Sequence, residues 1–186
     1  MYGWIVLIAV VVIVLIWLAA SYNSFIRARN NVEEAYATMD VYLKKRFDLI
    51  PNLVETVKGY AKHEKETLQN VVDARAAVGS AGSVAERAKS ENVLSGTLKS
   101  LFAVAENYPE LKANQNFMEL QGELRSMEQD IANSRKYYNA VVKQYNNRCQ
   151  MFPGNLVAGM FHFTPKTMFE VESTEERQNV HVDFGA

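Results

Sequence analysis

From Gly3 to Ala20 the chain is an unbroken apolar run without a charge, and beyond it apolar and polar positions recur with a helical period. Trp4 to Ala20 is 17 residues, about 26 Å of helix at 1.5 Å per residue. That lies near the short end of what crosses an apolar layer about 30 Å thick. Tyr2 and Trp4 stand at one end of the run and Trp17 and Tyr22 at the other, as amphipathic aromatics do at the two faces of a bilayer. The pattern predicts a transmembrane helix over residues 3–21, with the lipid bilayer as its partner and Trp4, Trp17 and Tyr22 as its anchors.

Past the span the same period continues. Phe25, Val32, Met39 and Leu43 form one helical face with no turn signal between Ala20 and Phe47, so the anchor and the first helix read as one rod. Ile50, Val54, Val57, Ala61, Leu68, Val71 and Val78 trace a further helix, with Pro51 placed in its first turn, where a missing N–H costs nothing. Pro51 therefore either breaks the rod or kinks it. Gly79 to Ser83 is a flexible link. Ser83-Val84-Ala85-Glu86 is a capping box that opens a helix running towards Glu106, lined by Val93, Leu94, Leu98, Leu101, Phe102 and Ala105 and stopped by Asn107-Tyr108-Pro109. A second capping box, Asn116 to Glu119, opens the last long helix. Its seam of Phe117, Leu120, Leu124, Met127, Ile131, Ser134, Tyr138, Val141 and Tyr145 has a period of 3.5, the coiled-coil pattern of a helix packed along its neighbours.

The fold expected is all-α: a transmembrane helix continuous with an up-and-down antiparallel four-helix bundle over residues 22–150. A short extended tail follows over residues 151–186, rich in Met and aromatics and broken by Pro165. Val180 to Phe184 alternates like one strand. The tail's Phe161, Phe163 and Phe169 read either as caps on the open end of the bundle or as a docking surface for a partner or neighbouring subunit.

Charge narrows the partners. With 20 basic and 21 acidic residues interspersed, the net charge is −1, so the basic surface that nucleic acid requires is missing. A single Cys149 forms no intrachain disulfide, which suits a reducing compartment. Met1-Tyr2-Gly3 carries no basic residue and Leu18-Ala19-Ala20 is a poor cleavage site, so an uncleaved anchor is expected rather than a signal peptide. Arg27, Arg29, Lys44, Lys45 and Arg46 all follow the span, which places the N-terminus outside and the C-terminal domain in the cytoplasm.

No catalytic constellation survives inspection. The residues three before His63, His162 and His181 are Tyr60, Gly159 and Gln178, so the Glu-x-x-His of bundle di-iron sites is absent. Thr67 stands where a zinc-protease helix needs its second His, and three His with one Cys give no zinc spacing. There is no phosphate-binding loop or nucleophile elbow. No cofactor or metal is expected. Glu33, Asp40, Asp48 and Glu55 form an acidic stripe that reads as a solvated face. Arg148 beside Cys149 could activate the thiol, although a plain seam-edge Cys is the simpler reading. Lys44-Lys45-Arg46 lies more than about 35 Å beyond Ala20 and is expected to pair with acids on a neighbouring helix.

The block from Asp40 to Glu64, DVYLKKRFDLIPNLVETVKGYAKHE, resembles the hallmark of the bacterial LemA family. So do Tyr108-Pro109-x-Leu111-Lys112-Ala113, the start of the last helix at Phe117-x-x-Leu120-Gln121-x-Glu123-Leu124, and Tyr138-Asn139-x-x-Val142. Tyr36 is a departure, since members often carry Trp there. The resemblance implies a single-pass inner-membrane protein with a cytoplasmic antiparallel helical bundle and no established reaction. Asp48, Pro51 and Asn52 read as a helix junction, with Asp48 or Asn52 capping free N–H groups and Pro51 setting the backbone angle.

The function expected is a membrane-anchored structural or adaptor protein, not an enzyme. It would bind an unidentified protein partner and associate as a homo-oligomer, since identical rods side by side would bury the acidic and basic stripes against each other. The alternative is a signalling or accessory component that acts by docking to a partner enzyme.

Overall fold

The computed structural model describes residues 2–170, and every regular element among them is helical. The order is α1 (Tyr2–Tyr60), α2 (Lys65–Ser80), α3 (Val84–Ala105), α4 (Pro109–Lys112), α5 (Gln115–Gln150) and α6 (Gly154–Phe161). The strand expected at Val180 to Phe184 lies outside the described residues. Packing divides the described residues into two compact units, one of residues up to Ile50 with Glu119–Met168, the other of Pro51–Met118 with Phe169 and Glu170. α1 and α5 each contribute to both.

In the first unit α1 and α5 run antiparallel. Three side-chain pairs establish the direction, because the residue number rises on one helix as it falls on the other. The Phe25 and Tyr145 rings lie 6.4 Å apart edge to face, the Tyr36 and Tyr138 rings lie 5.6 Å apart, and Arg46 pairs with Glu128. The buried face of α1 repeats every seven residues through Phe25, Val32, Met39 and Arg46, and that of α5 through Leu124, Ile131, Tyr138 and Tyr145. A seven-residue period holds one seam against a nearly parallel neighbour over many turns. Val142 rather than the expected Val141 is the fully buried residue beside that seam.

In the second unit α2 and α3 pack together across the three-residue link Ala81–Ser83, the geometry of an antiparallel helical hairpin. Leu68, Val71, Ala74 and Val78 face this core from α2, and Ala88, Leu94, Leu98, Leu101 and Ala105 from α3. Each fully buried Leu or Val contributes roughly 1.5–3 kcal/mol of transfer free energy. Ser83 caps α3 as expected: its Oγ accepts from the Glu86 N–H at 3.2 Å, while Glu86 Oε2 accepts from the Gly82 N–H at 2.9 Å. Val93, expected on the buried face, is exposed, and Glu91 is buried in that helix instead, 3.7 Å from Arg87.

Three expected boundaries move. α1 is continuous through Pro51, and the break falls after Tyr60. There the Glu64 N–H reaches the Ala61 carbonyl at 3.1 Å, and α2 restarts at Lys65. The step from Ala61 to Leu68 is seven residues, so the apolar period runs through this turn and hides it. α5 begins at Gln115, one residue before the expected cap: Asn114 Oδ1 accepts from the Phe117 N–H at 2.9 Å and does the capping assigned to Asn116. The tail expected to be extended from residue 151 contains α6, which buries Val157 and Ala158.

Candidate functional site

The first seventeen or so residues of α1 are apolar with no protein packed around them. Its most apolar 18-residue window has a mean hydropathy of 3.0 and no buried residue. This is the one helix among the described residues long and apolar enough to cross a membrane. Trp4 is open to the surroundings, whereas Trp17 and Tyr22 meet the chain again. They do so at the start of a cluster in which α1, the end of α5 and α6 converge.

The Tyr22 ring lies 4.8 Å from Phe161 and 5.8 Å from Phe163, and Phe25 stacks on Phe163 at 4.9 Å. Trp17, Ser21, Ser24 and Phe25 share a cleft with Arg148, Met151, Phe152, Pro153 and Gly154. Arg148 donates through Nη1 to the Ser24 carbonyl at 3.3 Å and to the Ser24 hydroxyl, so its charge is turned to α1 and not to the neighbouring thiol. Burial pushes the Cys149 thiol up, and it pushes the Tyr145 phenol beside it up to about 12. Both groups stay neutral near pH 7, so the reading of Cys149 as a plain packed thiol fits and activation by Arg148 does not.

α6 is positioned by close backbone approach. A Cβ at Gly154 would collide with the Arg148 carbonyl and come within 3.6 Å of the Phe25 ring. Gly154→Ala is therefore expected to lower stability by about 1–3 kcal/mol, the usual cost of overpacking. A thermal scan of the full-length protein checks this; an unchanged midpoint would mean that the contact does not hold α6. At its other end α6 closes with His162 in the left-handed conformation, φ 59°, and the Phe163 N–H reaches the Ala158 carbonyl at 2.9 Å, the long bond of a Schellman closure.

The chain after α6 is tied down by side chains of α5. Asn146 donates to the Lys166 carbonyl and accepts from the Lys166 N–H, both at 2.8 Å, and the Tyr138 hydroxyl donates to the Thr167 carbonyl at 2.8 Å. Burial raises the Tyr138 pKa, which keeps that donor protonated. The three Phe residues read as a common tail surface do not share one. Phe161 is exposed and Phe163 half-buried in the aromatic cluster, while Phe169 is fully buried in the second unit.

The hallmark block is helical from Asp40 to Tyr60, and its last four residues form the turn before α2. Asp48 pairs with Lys44 at 3.1 Å, the Asn52 carbonyl accepts from Thr56 Oγ1 at 2.8 Å, and Pro51 is exposed inside α1. Neither Asp48 nor Asn52 sits at a helix end, so the capping role expected of them is replaced by in-helix contacts. Of the basic triplet, Lys44 and Lys45 stay on the surface, Lys45 lying over the Tyr42 ring at 5.9 Å. Arg46 is fully buried and meets Glu128 on α5. The pairing with a neighbouring helix holds for Arg46, but its burial was missed. The signal was present: stepping by seven from Phe25, Val32 and Met39 lands on Arg46. Glu91 is the corresponding buried charge in α3.

The acidic stripe is divided among local partners. Glu33 lies 3.9 Å from Arg29 and Glu55 lies 3.5 Å from Lys58, pairs that are each worth little on a solvated face. No group of His, Cys, Asp and Glu among the described residues could hold a metal ion. In the second unit an open groove of about 880 Å³ is lined by Val54, Leu68 and Val72 together with Lys58, Lys62 and His63. Near the turn that follows α1, the Tyr108 hydroxyl donates to Glu64 Oε1 at 2.8 Å, and this bond to a carboxylate raises the phenol pKa.

Comparison with known proteins places this architecture. Protein LemA of Metamycoplasma hominis is 23% identical over 157 residues, covering 82% of this chain and 70% of the relative. Magnetosome proteins MamQ 1 and MamQ 2 of Paramagnetospirillum magneticum are each 23% identical over 175 residues, covering 80% of this chain and 64% of theirs. The chain thus spans a little under two thirds of the two magnetosome relatives. The LemA family model matches residues 35–184, which includes the hallmark block, α2 to α6 and the aromatic segment, and this chain belongs to the LemA family.

Proposed function

We propose that this LemA-family chain is a membrane-anchored structural protein. It holds an antiparallel helical bundle at the bilayer surface for protein–protein contact and self-assembly, and it carries no reaction of its own. The observation that supports this most is the continuity of α1. One helix runs from the apolar span into the packed region with no linker, so whatever surface the bundle presents is fixed to the membrane and not tethered loosely. The basic residues that follow the span favour an outside N-terminus and a cytoplasmic bundle in a bacterial inner membrane. The magnetosome names of two relatives also favour a membrane setting.

The test is the mass of the full-length protein in mild detergent by size exclusion with light scattering. A discrete oligomer is expected, and substitutions at surface positions of α1 such as Val41 are expected to reduce it. A clean monomer would remove self-assembly and leave the adaptor reading. Release of the protein from native membranes by alkaline carbonate would remove the anchor as well.

A further inference from the structure

The residues from Cys149 to Pro165 include no Asp, Glu, Lys or Arg. Within them, Phe152, Leu156 and Met160 recur at steps of four, which places Leu156 and Met160 on one face of α6 with Phe152 just ahead of its first turn. All three point away from the protein: Phe152 is 79% exposed, Leu156 58% and Met160 59%, with Met151 beside them at 64%. The opposite face of α6 carries the buried Val157 and Ala158. Asn155 is the one polar residue among the exposed positions of α6, so the bare side of this element is mainly apolar.

Its height on α1 is set by the contacts already described. Trp17 lines a cleft with Met151, Phe152 and Gly154, and Tyr22 packs against Phe161. α6 therefore sits beside the stretch of α1 from Trp17 to Phe25, about 12 Å of helix centred where the apolar run ends at Ala20. That is the level of a bilayer's headgroup and upper acyl region. Arg27, Arg148 and Lys166 rim the element at the same end of the unit and are all exposed; cations there favour an anionic lipid surface.

We infer that Met151, Phe152, Leu156 and Met160 form an interfacial membrane-binding face: α6 lies in the bilayer surface next to the span and buries this face among the lipids. The covering partner is lipid and not protein, because the bare face continues the apolar surface of the span itself. Such a helix binds by apolar area plus attraction to anionic headgroups. It would give the anchor a second point of attachment and fix the rotation of α1 about its own axis.

The inference rests on the reading that Trp4 to Ala20 spans the bilayer, and the experiment separates the two. Full-length protein with Cys149→Ala is reconstituted into phosphatidylcholine–phosphatidylglycerol vesicles. Single Leu156→Cys, Met160→Cys, Ile8→Cys and Gln129→Cys variants then carry an environment-sensitive fluorophore. Ile8 reports on the span, and Gln129 on an exposed part of α5. Quenching by lipids bearing a shallow nitroxide is expected to be several-fold stronger at 156 and 160 than at 129, and aqueous iodide is expected to quench them several-fold less. If Ile8 is quenched by lipid while 156 and 160 follow Gln129, the interfacial face is wrong and the span stands. If 156 and 160 escape both quenchers, another protein copy covers the face and the inference is overturned. If Ile8 is itself open to iodide, the spanning reading fails and takes this inference with it.

Discussion

Arg46→Met is expected to leave the protein as stable as the parent or to raise its unfolding midpoint, whereas Glu128→Ala is expected to lower stability by about 1–3 kcal/mol. Arg46 is fully buried at a heptad position of α1, and its guanidinium reaches Glu128, whose side chain keeps 41% of its exposure. Burying a guanidinium costs several kcal/mol, and the counter-charge offsets that cost only while it is present. Removing Glu128 strips counter-charge from a buried cation, though water reaching the vacated position softens the loss. Removing Arg46 in favour of an apolar chain of similar length instead fills the heptad position after Met39, and the partly exposed Glu128 keeps its access to water. Thermal unfolding of both variants in detergent decides the matter. A larger loss for Arg46→Met than for Glu128→Ala would mean the pair is net stabilising. If Arg46→Met folds normally but changes the oligomer mass, the buried charge selects register or partner, as isolated polar residues do in coiled-coil seams.

Pro51→Ala is expected to stabilise α1 by about 1–3 kcal/mol. Inside a helix, proline has no N–H to offer the Phe47 carbonyl, and its ring crowds that carbonyl. The residue is exposed, so alanine gives up no packing. Against this, proline restricts the unfolded chain by roughly 0.4–1 kcal/mol, which reduces the gain without reversing it. Slower amide exchange from Phe47 to Glu55, together with a higher midpoint, is the expected result. A lower midpoint would show that the helix depends on the angle proline imposes. A protein that is more stable but no longer assembles would assign Pro51 a geometric role in function, retained at a cost in stability.

Much of this protein was legible in its sequence because the governing patterns are local. The apolar run to Ala20, the heptad seam of α5 and the Ser83 capping box each need only a dozen or so neighbouring residues. Each stands in the structure where the pattern put it, as does the end of α3 before Pro109. The hallmark block and the segments that follow it carried the LemA assignment directly. The turn at Ala61 to Glu64 was hidden because the apolar period passes through it unchanged. α6 was missed because the Pro153-Gly154 pair disfavours a continuing helix, and because an eight-residue helix is too short to show its period inside a tail already rich in apolar residues.

What the sequence determined by itself is the helical class, the single apolar span and the family, all of which follow from composition and spacing along one chain. Only the tertiary structure decided that Arg46 and Glu91 are core residues, that Phe169 is buried while Phe161 is not, and that α6 lies beside the end of the span. Burial depends on which other segment covers a position. An Arg at a heptad step, or a Phe in a tail, has the same local sequence whether a distant helix packs over it or leaves it to solvent and lipid.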